Sequence, residues 1–420
     1  MRKLIKNIKE IIGVSEDNQS SLKKGTDMRN LSKIKDGWIM IENDLIIDFG
    51  DMDNWGGIEN WNDITILDAK NGIVLPTWCD SHTHIVFAGT RESEFVDRIN
   101  GLSYEEIAHN GGGILNSAKL LSKTDKLSLY KQSSERLDRL IKLGTGAIEI
   151  KSGYGLNTKD EIKMLQVIQK LKENYPIPIK STFLGAHAVP KNFSKEKYIN
   201  LLIQEMIPEV AKQNLADYID VFCERGFFSP KDTEKILETG LKYGLKSKIH
   251  ANELDFSGGI EVGVKMRSIS VDHLEYTSEK DINLLKNSNT IPTLLPGTAH
   301  FLGLKYPPAR LMIQSGLPIA IASDFNPGSC PSGNMAMIIS LSCVKMKLTP
   351  NEVINATTIN GAHAMELQHL VGDIQKGKKA NLIITKEIPS INYIPYSMGE
   401  NNIQKVIING EIYHDSETNY

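Results

Sequence analysis

The chain has 420 residues, 24% of them charged, a formal net charge of −3 and four scattered cysteines. That length accommodates a large domain plus a smaller one, and weak charge of interspersed sign argues against nucleic acid as a partner. No apolar run is long enough for a bilayer, residues 1–9 are basic without an apolar core behind them, and no cysteines have CxxC spacing. A cytoplasmic protein with reduced thiols, no secretory leader and no membrane partner is therefore expected.

Residues 1 to about 75 read as short strands between Asn, Asp and Gly turns, with β-type runs at 4–5, 11–12, 37–41, 45–49 and 65–68. Matching runs at 381–385 and 406–413 close the chain. Together they predict a small composite β-sandwich domain, 1–75 with 370–420, around a central domain at 76–369. Within that central stretch the pattern becomes strand then helix. Apolar runs end at Cys79-Asp80, Ile150, Leu184, Cys223, His250, His273, Leu295 and Ala322. Segments of helical period lie between most of them, as from Asp160 to Leu171, with Asn157 or Thr158 as N-cap. Such alternation over eight strands predicts an α/β chain closed into a TIM-like (β/α)8 barrel. The competing open, doubly wound sheet needs a G-x-G-x-x-G turn after its first strand, and no such turn follows one here.

Barrel chemistry sits at the C-terminal strand ends. There the chain carries His82 and His84 beyond the apolar run 72–75, then Tyr154, His187, His250, Glu253, His273, Asp324 and Asn326. His82 and His84, two apart on extended backbone, face the same side. With His250 and Asp324 they make three imidazoles and a carboxylate, a set that suits zinc or iron and leaves a position for water. Glu253 is a candidate general acid or base, His273 a group that orients water or ligands, and Asp324 a rival proton acceptor. Ordinary roles compete: Asp324 as a helix cap, His250 and His273 as core histidines. The gathering of a scarce residue type at strand ends favours a site.

Seven motifs carry a resemblance: HTHIVFAGTRESEF (82–95), SGYG (152–155), FLGAHAVP (183–190), HANE (250–253), DHLEY (272–276), LLPG (294–297) and ASDFNPGS (322–329). From about Asp36 to its end the chain resembles the imidazolonepropionase family of the metal-dependent amidohydrolase superfamily. The resemblance implies a hydrolase of C–N bonds in cyclic amides, opening 4-imidazolone-5-propanoate to N-formimidoyl-L-glutamate in histidine degradation by attack of metal-activated water. It implies His82, His84, His250 and Asp324 as ligands of one divalent ion, Zn2+ or Fe2+. It places Arg91, Tyr154, His187, Glu253, Asn326, Gly328 and Ser329 around the substrate, and it suggests a homodimer. Arg91 offers a bidentate fork for a propionate, Tyr154 a hydroxyl, and His187 a proton or hydrogen bond to the opening ring. Two-metal relatives use a modified lysine at the end of strand four. Residues 221–225 contain none, so one metal is expected, with Lys151 and Lys180 structural or solvated. Tyr104 and the glycines at 111–113 are candidates to close the site, and His300 lines its mouth or caps a helix.

The closest alternative is an aminohydrolase that deaminates a purine or pyrimidine on the same scaffold. It shares the metal ligands, but a neutral base has no use for Arg91 with Tyr154. A non-catalytic scaffold protein should have lost a ligand or Glu253, and all are present.

Overall fold

The N-terminal strand organises a sheet drawn from both ends of the chain. In the computed structural model, which describes residues 1–15, 21–102, 106–107 and 111–418, β1 (Arg2–Ile12) pairs along one edge with β2 (Lys33–Glu42), which continues into β3 (Leu45–Asp51). Its other edge is shared. The first half of β1 pairs with β4 (Ile64–Asp68), the second half with β5 (Ile73–Pro76), and a register shift falls between Ile5 and Ile8. β5 then pairs with β14 (Leu382–Thr385), followed by β15 (Ile403–Ile408) and β16 (Glu411–Asp415). The halves of this branched eight-stranded sheet share a core of their own, including Ile5, Ile39, Ile41, Val74, Leu382 and Ile407.

The second sheet is the barrel. Its eight strands are β6 (Trp78–Thr83), β7 (Thr145–Lys151), β8 (Ile179–Ala186), β9 (Tyr218–Cys223), β10 (Lys246–Ala251), β11 (Ser270–His273), β12 (Ile291–Leu294) and β13 (Ala320–Ile321). They pair in parallel and in chain order, and a bridge from Thr83 to Phe325 closes the ring. Two hydrogen bonds secure that seam: His84 N–H to Phe325 O at 2.9 Å, and Asp324 N–H to His82 O at 3.0 Å. Several of the helices that follow strands start at side-chain caps. Asn157 caps the helix Thr158–Asn174, while Ser229, Ser278 and Thr349 each form a reciprocal capping box. No helix among the described residues is long and apolar enough to cross a membrane.

The apolar run 72–75 belongs to the terminal sheet and not to the histidine strand. Its backbone is committed to β1 and β14, and the chain changes sheets at Thr77, whose N–H donates to Asn381 O at 3.1 Å. Thr77 fits because residue 146 is glycine: a Cβ there would lie 2.0 Å from the Thr77 hydroxyl.

The helix Ile359–Ala364 packs on β6 through Gly361, where a Cβ would sit 2.3 Å from the Cys79 carbonyl oxygen. Gly361→Ala should therefore destabilise the fold by about 1–3 kcal/mol from overpacking, against the roughly 1 kcal/mol that alanine gains in a helix. A lowered urea midpoint at constant m-value is expected. An unchanged or raised midpoint would show that the contact yields freely.

Candidate active site

Four side chains converge where β6, β10 and the segment after β13 end. His84 Nε2 lies 3.3 Å from His82 Nε2 and 3.4 Å from His250 Nε2. Asp324 Oδ1 lies 3.6 Å from His82 Nε2 and 3.5 Å from His84 Nε2. All four residues are buried. Donors held about 2.1 Å from a tetrahedral zinc ion sit about 3.4 Å apart, so this spacing fits one ion. Histidines 82, 84 and 250 form one group able to hold a metal, and His82, His273 and Asp324 form a second, overlapping one.

Two of the far nitrogens lie beside carboxylates. His82 Nδ1 is 2.6 Å from Asp272 Oδ2, and His250 Nδ1 is 2.9 Å from Asp220 Oδ2. A carboxylate on Nδ1 fixes the proton there and leaves the Nε2 lone pair facing inward. Below them Lys151 Nζ reaches Glu149 Oε1 at 2.6 Å, Asp220 Oδ2 at 2.8 Å and Asp272 Oδ2 at 3.5 Å. Lys248 pairs with the other Glu149 oxygen. None of these five side chains is exposed. Lys151 is therefore a buried charge and not a solvated one, whereas Lys180 is partly exposed beside Asp217. Sequence reasoning passed over Glu149, Asp220, Lys248 and Asp272. The signal was there: charged residues inside strands that are otherwise apolar must be paired.

Backbone strain helps to aim two groups. His273 directly follows Asp272, and regular alternation would send their side chains to opposite faces. Its φ of 82° turns the chain, so that its ring lies 5.2 Å from that of His250. Asp324 has a φ of 53°, and its Oδ2 accepts from the Thr298 hydroxyl at 2.5 Å. Left-handed residues other than glycine are held by their surroundings and concentrate at functional sites.

A cavity opens over this group, with Glu253, His273, Arg91, Tyr154, His187 and Asn326 in its wall. Burial pushes the Glu253 carboxyl up to about 8. For His273 burial works downward, but Glu253, Glu275 and Asp324 outweigh it and lift the imidazole to about 10. Glu253 Oε2 lies 3.8 Å from His273 Nε2. His187 Nδ1 is 3.0 Å from Gly153 O, and burial lowers the ring to about 3. With the proton on Nδ1, its Nε2 is a hydrogen-bond acceptor and not an acid.

Arg91 is 6% exposed. Its Nε donates to Ser117 Oγ at 2.8 Å, while Nη2 is buried with no partner among the described residues. The guanidinium lies 5.7 Å from the Tyr154 ring centroid. Gly328 makes room for it, since a Cβ there would be 2.1 Å from Nη1. Tyr154 is fixed by its loop: Glu161 accepts N–H bonds from Gly153, Gly155 and Leu156 at 3.1, 2.7 and 3.0 Å. Asn326 is spent on its own loop, accepting from the Gly328 and Ser329 N–H groups at 2.8 Å each and donating to Ser329 Oγ at 2.7 Å. The glycine stretch 111–113 is tied to the helix Glu92–Ile99, where Glu94 accepts from Gly113 N–H at 3.0 Å. His300 faces outward, with Nδ1 3.1 Å from the Tyr306 hydroxyl. Tyr104 lies outside the described residues.

The amidohydrolase family profile matches residues 231–413. The imidazolonepropionase of Christiangramia forsetii is 55% identical, over 98% of this chain and 100% of the relative. That of Flavobacterium johnsoniae is 55% identical over 97% and 99%, and that of Alkaliphilus oremlandii 41% over 97% of each. Among solved structures, a triazine hydrolase variant has a TM-score of 0.75 at 13% identity, covering 99% of this chain and 95% of that one. A guanine deaminase from C. acetobutylicum, solved with guanine in its active site, has a TM-score of 0.68 at 18% identity, covering 98% and 100%. These distant likenesses establish the shared barrel fold, and the full-length relatives establish the family. The chain belongs to the imidazolonepropionase family of the amidohydrolases.

Proposed function

We propose that this chain hydrolyses 4-imidazolone-5-propanoate to N-formimidoyl-L-glutamate, a step of histidine degradation. The observation that carries the reading is Arg91, a buried cation whose Nη2 has no partner among the described residues, in the cavity that the converging imidazoles floor. A buried guanidinium needs an anion, and a carboxylate meets its fork bidentately. A purine or pyrimidine supplies no such charge, which disfavours the deaminase alternative.

His82, His84, His250 and Asp324 would hold one divalent ion, zinc or iron(II), which when bound supplies the Lewis acidity that acidifies water and polarises a carbonyl. Arg91 and Tyr154 hold the propionate and so fix which ring edge faces the histidines. His187 Nε2 accepts a hydrogen bond from a ring N–H. Water oxygen bonds to the ring carbonyl carbon, the adjoining C–N bond breaks, and the water proton passes through Glu253 to the leaving nitrogen. Glu253 suits this transfer better than Asp324. Burial tunes its carboxyl near neutrality, whereas Asp324 has one oxygen on Thr298 and the other among the imidazoles. Protonated His273 beside Glu253 stabilises the carboxylate between proton transfers. Asn326 and Ser329 hold the loop that carries Gly328 against Arg91.

Protein loaded with zinc or iron(II) should consume imidazolone propionate, followed by the loss of its ultraviolet absorbance. A flat trace would overturn the substrate assignment. Glu253→Gln should lower turnover by about 10²–10⁴-fold, the usual worth of a positioned acid–base, while metal content persists. Wild-type turnover in that variant would move the proton transfer elsewhere. Arg91→Met should raise KM about ten- to hundredfold, for a charged hydrogen bond worth about 1.5–3 kcal/mol, with kcat much less affected. An unchanged KM would remove Arg91 from the carboxylate.

A further inference from the structure

Beneath the converging histidines lies a cluster that the proposed reaction does not use. Glu149 and Lys151 from β7, Asp220 from β9, Lys248 from β10 and Asp272 from β11 fill the barrel interior with charge, and all are buried. Taking charges out of water costs several kcal/mol per ion unless each is paired. A filling of aliphatic residues would cost nothing of the kind, so the cluster calls for a role. Lys151 has a distinctive position within it. Its ammonium is shared between Asp220 and Asp272, at 2.8 and 3.5 Å. These are the two carboxylates that face Nδ1 of His250 and His82. Lys248 differs, since its ion pair among the described residues is with Glu149.

We propose that Lys151 is a positioning residue for the metal centre: its ammonium clamps Asp220 and Asp272 so that His250 and His82 present Nε2 to a single ion. The proposal rests on His82, His84, His250 and Asp324 as the ligand set. Two carboxylates left to themselves in a dry interior repel, and each would turn from its histidine toward any other donor. Ser270 already offers Asp272 one, at 2.6 Å. A cation between them removes the repulsion and fixes the carboxylate planes, and through them the tilt of both rings.

The test is zinc affinity of the intact, metal-stripped protein, measured by competition with a chromogenic chelator, alongside thermal unfolding of the metal-free form and the visible spectrum of the cobalt(II) form. Wild type should bind about one zinc, and His82→Ala should not. If wild type fails to bind or His82→Ala binds normally, the ligand assignment itself is wrong. With that assignment standing, Lys151→Met should bind zinc about ten- to hundredfold more weakly, the usual effect of losing an outer-sphere partner, with an altered cobalt spectrum. Lys248→Met removes an equally buried ammonium and should lose stability while staying within about threefold of wild-type affinity, on the same outer-sphere argument. Should the methionine variant not fold, Lys151→Gln, which keeps reach and one hydrogen bond, is read in the same way. Wild-type affinity and spectrum in a Lys151 variant, equal loss of affinity in Lys248→Met, or failure of both Lys151 variants to fold would each reduce Lys151 to a structural lysine.

Discussion

Among three imidazole nitrogens and a carboxylate oxygen, four donor pairs lie 3.3 to 3.6 Å apart, all on buried side chains. That arrangement constrains everything around it. Asp272 hydrogen-bonds Nδ1 of His82 and Asp220 lies 2.9 Å from Nδ1 of His250, so the Nε2 atoms of both rings face the site. Acceptors crowded against acceptors in a dry interior cost free energy unless a cation joins them. Burial deepens the constraint, holding His82 and His84 neutral well below the usual imidazole range. The group is poor protein interior and good metal ligation.

The fold supplies this arrangement by dividing the work. The ring closes where β6 meets the residues after β13, and the same seam carries His82, His84 and Asp324. Closing the barrel and assembling the site are thus one event. Left-handed backbone at His273 and Asp324 brings in side chains that a regular strand would turn away. The opposite wall is built differently, from loops pinned by buried polar anchors. Glu161 holds the Tyr154 loop, Ser117 holds Arg91, and Asn326 holds the turn at Gly328. One wall of the cavity gathers imidazoles and a carboxylate able to hold a cation, and the other presents a guanidinium.

Much of this was legible in the chain itself. The eight apolar runs end within three residues of the barrel strand ends, and most of the residues named there, from His84 and Tyr154 to Asp324 and Asn326, border one cavity. Period and placement sufficed, because a barrel repeats one local pattern and buries both faces of every strand. The change of pattern marked a boundary near residue 75, but the pairing of the run 72–75 to β1 and β14, which are distant in sequence, was not legible. The Lys151 cluster was missed for a related reason. Glu149 and Lys151 lie two apart on one face, but their partners sit on β9, β10 and β11, so nothing local reveals the pairing. His300 reads as a mouth residue or a helix cap from its place after β12, and the helix Pro296–Leu302 turns it to the surface, toward Tyr306.

The most direct measurement is diffraction from zinc-loaded crystals at the zinc absorption edge, in the presence of a non-hydrolysable propionate-bearing ring analogue. A single anomalous peak should fall among His82 Nε2, His84 Nε2, His250 Nε2 and Asp324 Oδ1, with the analogue's carboxylate on Arg91. A peak in the overlapping group of His82, His273 and Asp324, or a carboxylate bound away from Arg91, would contradict the division of the cavity into an ion-holding wall and an anion-holding wall.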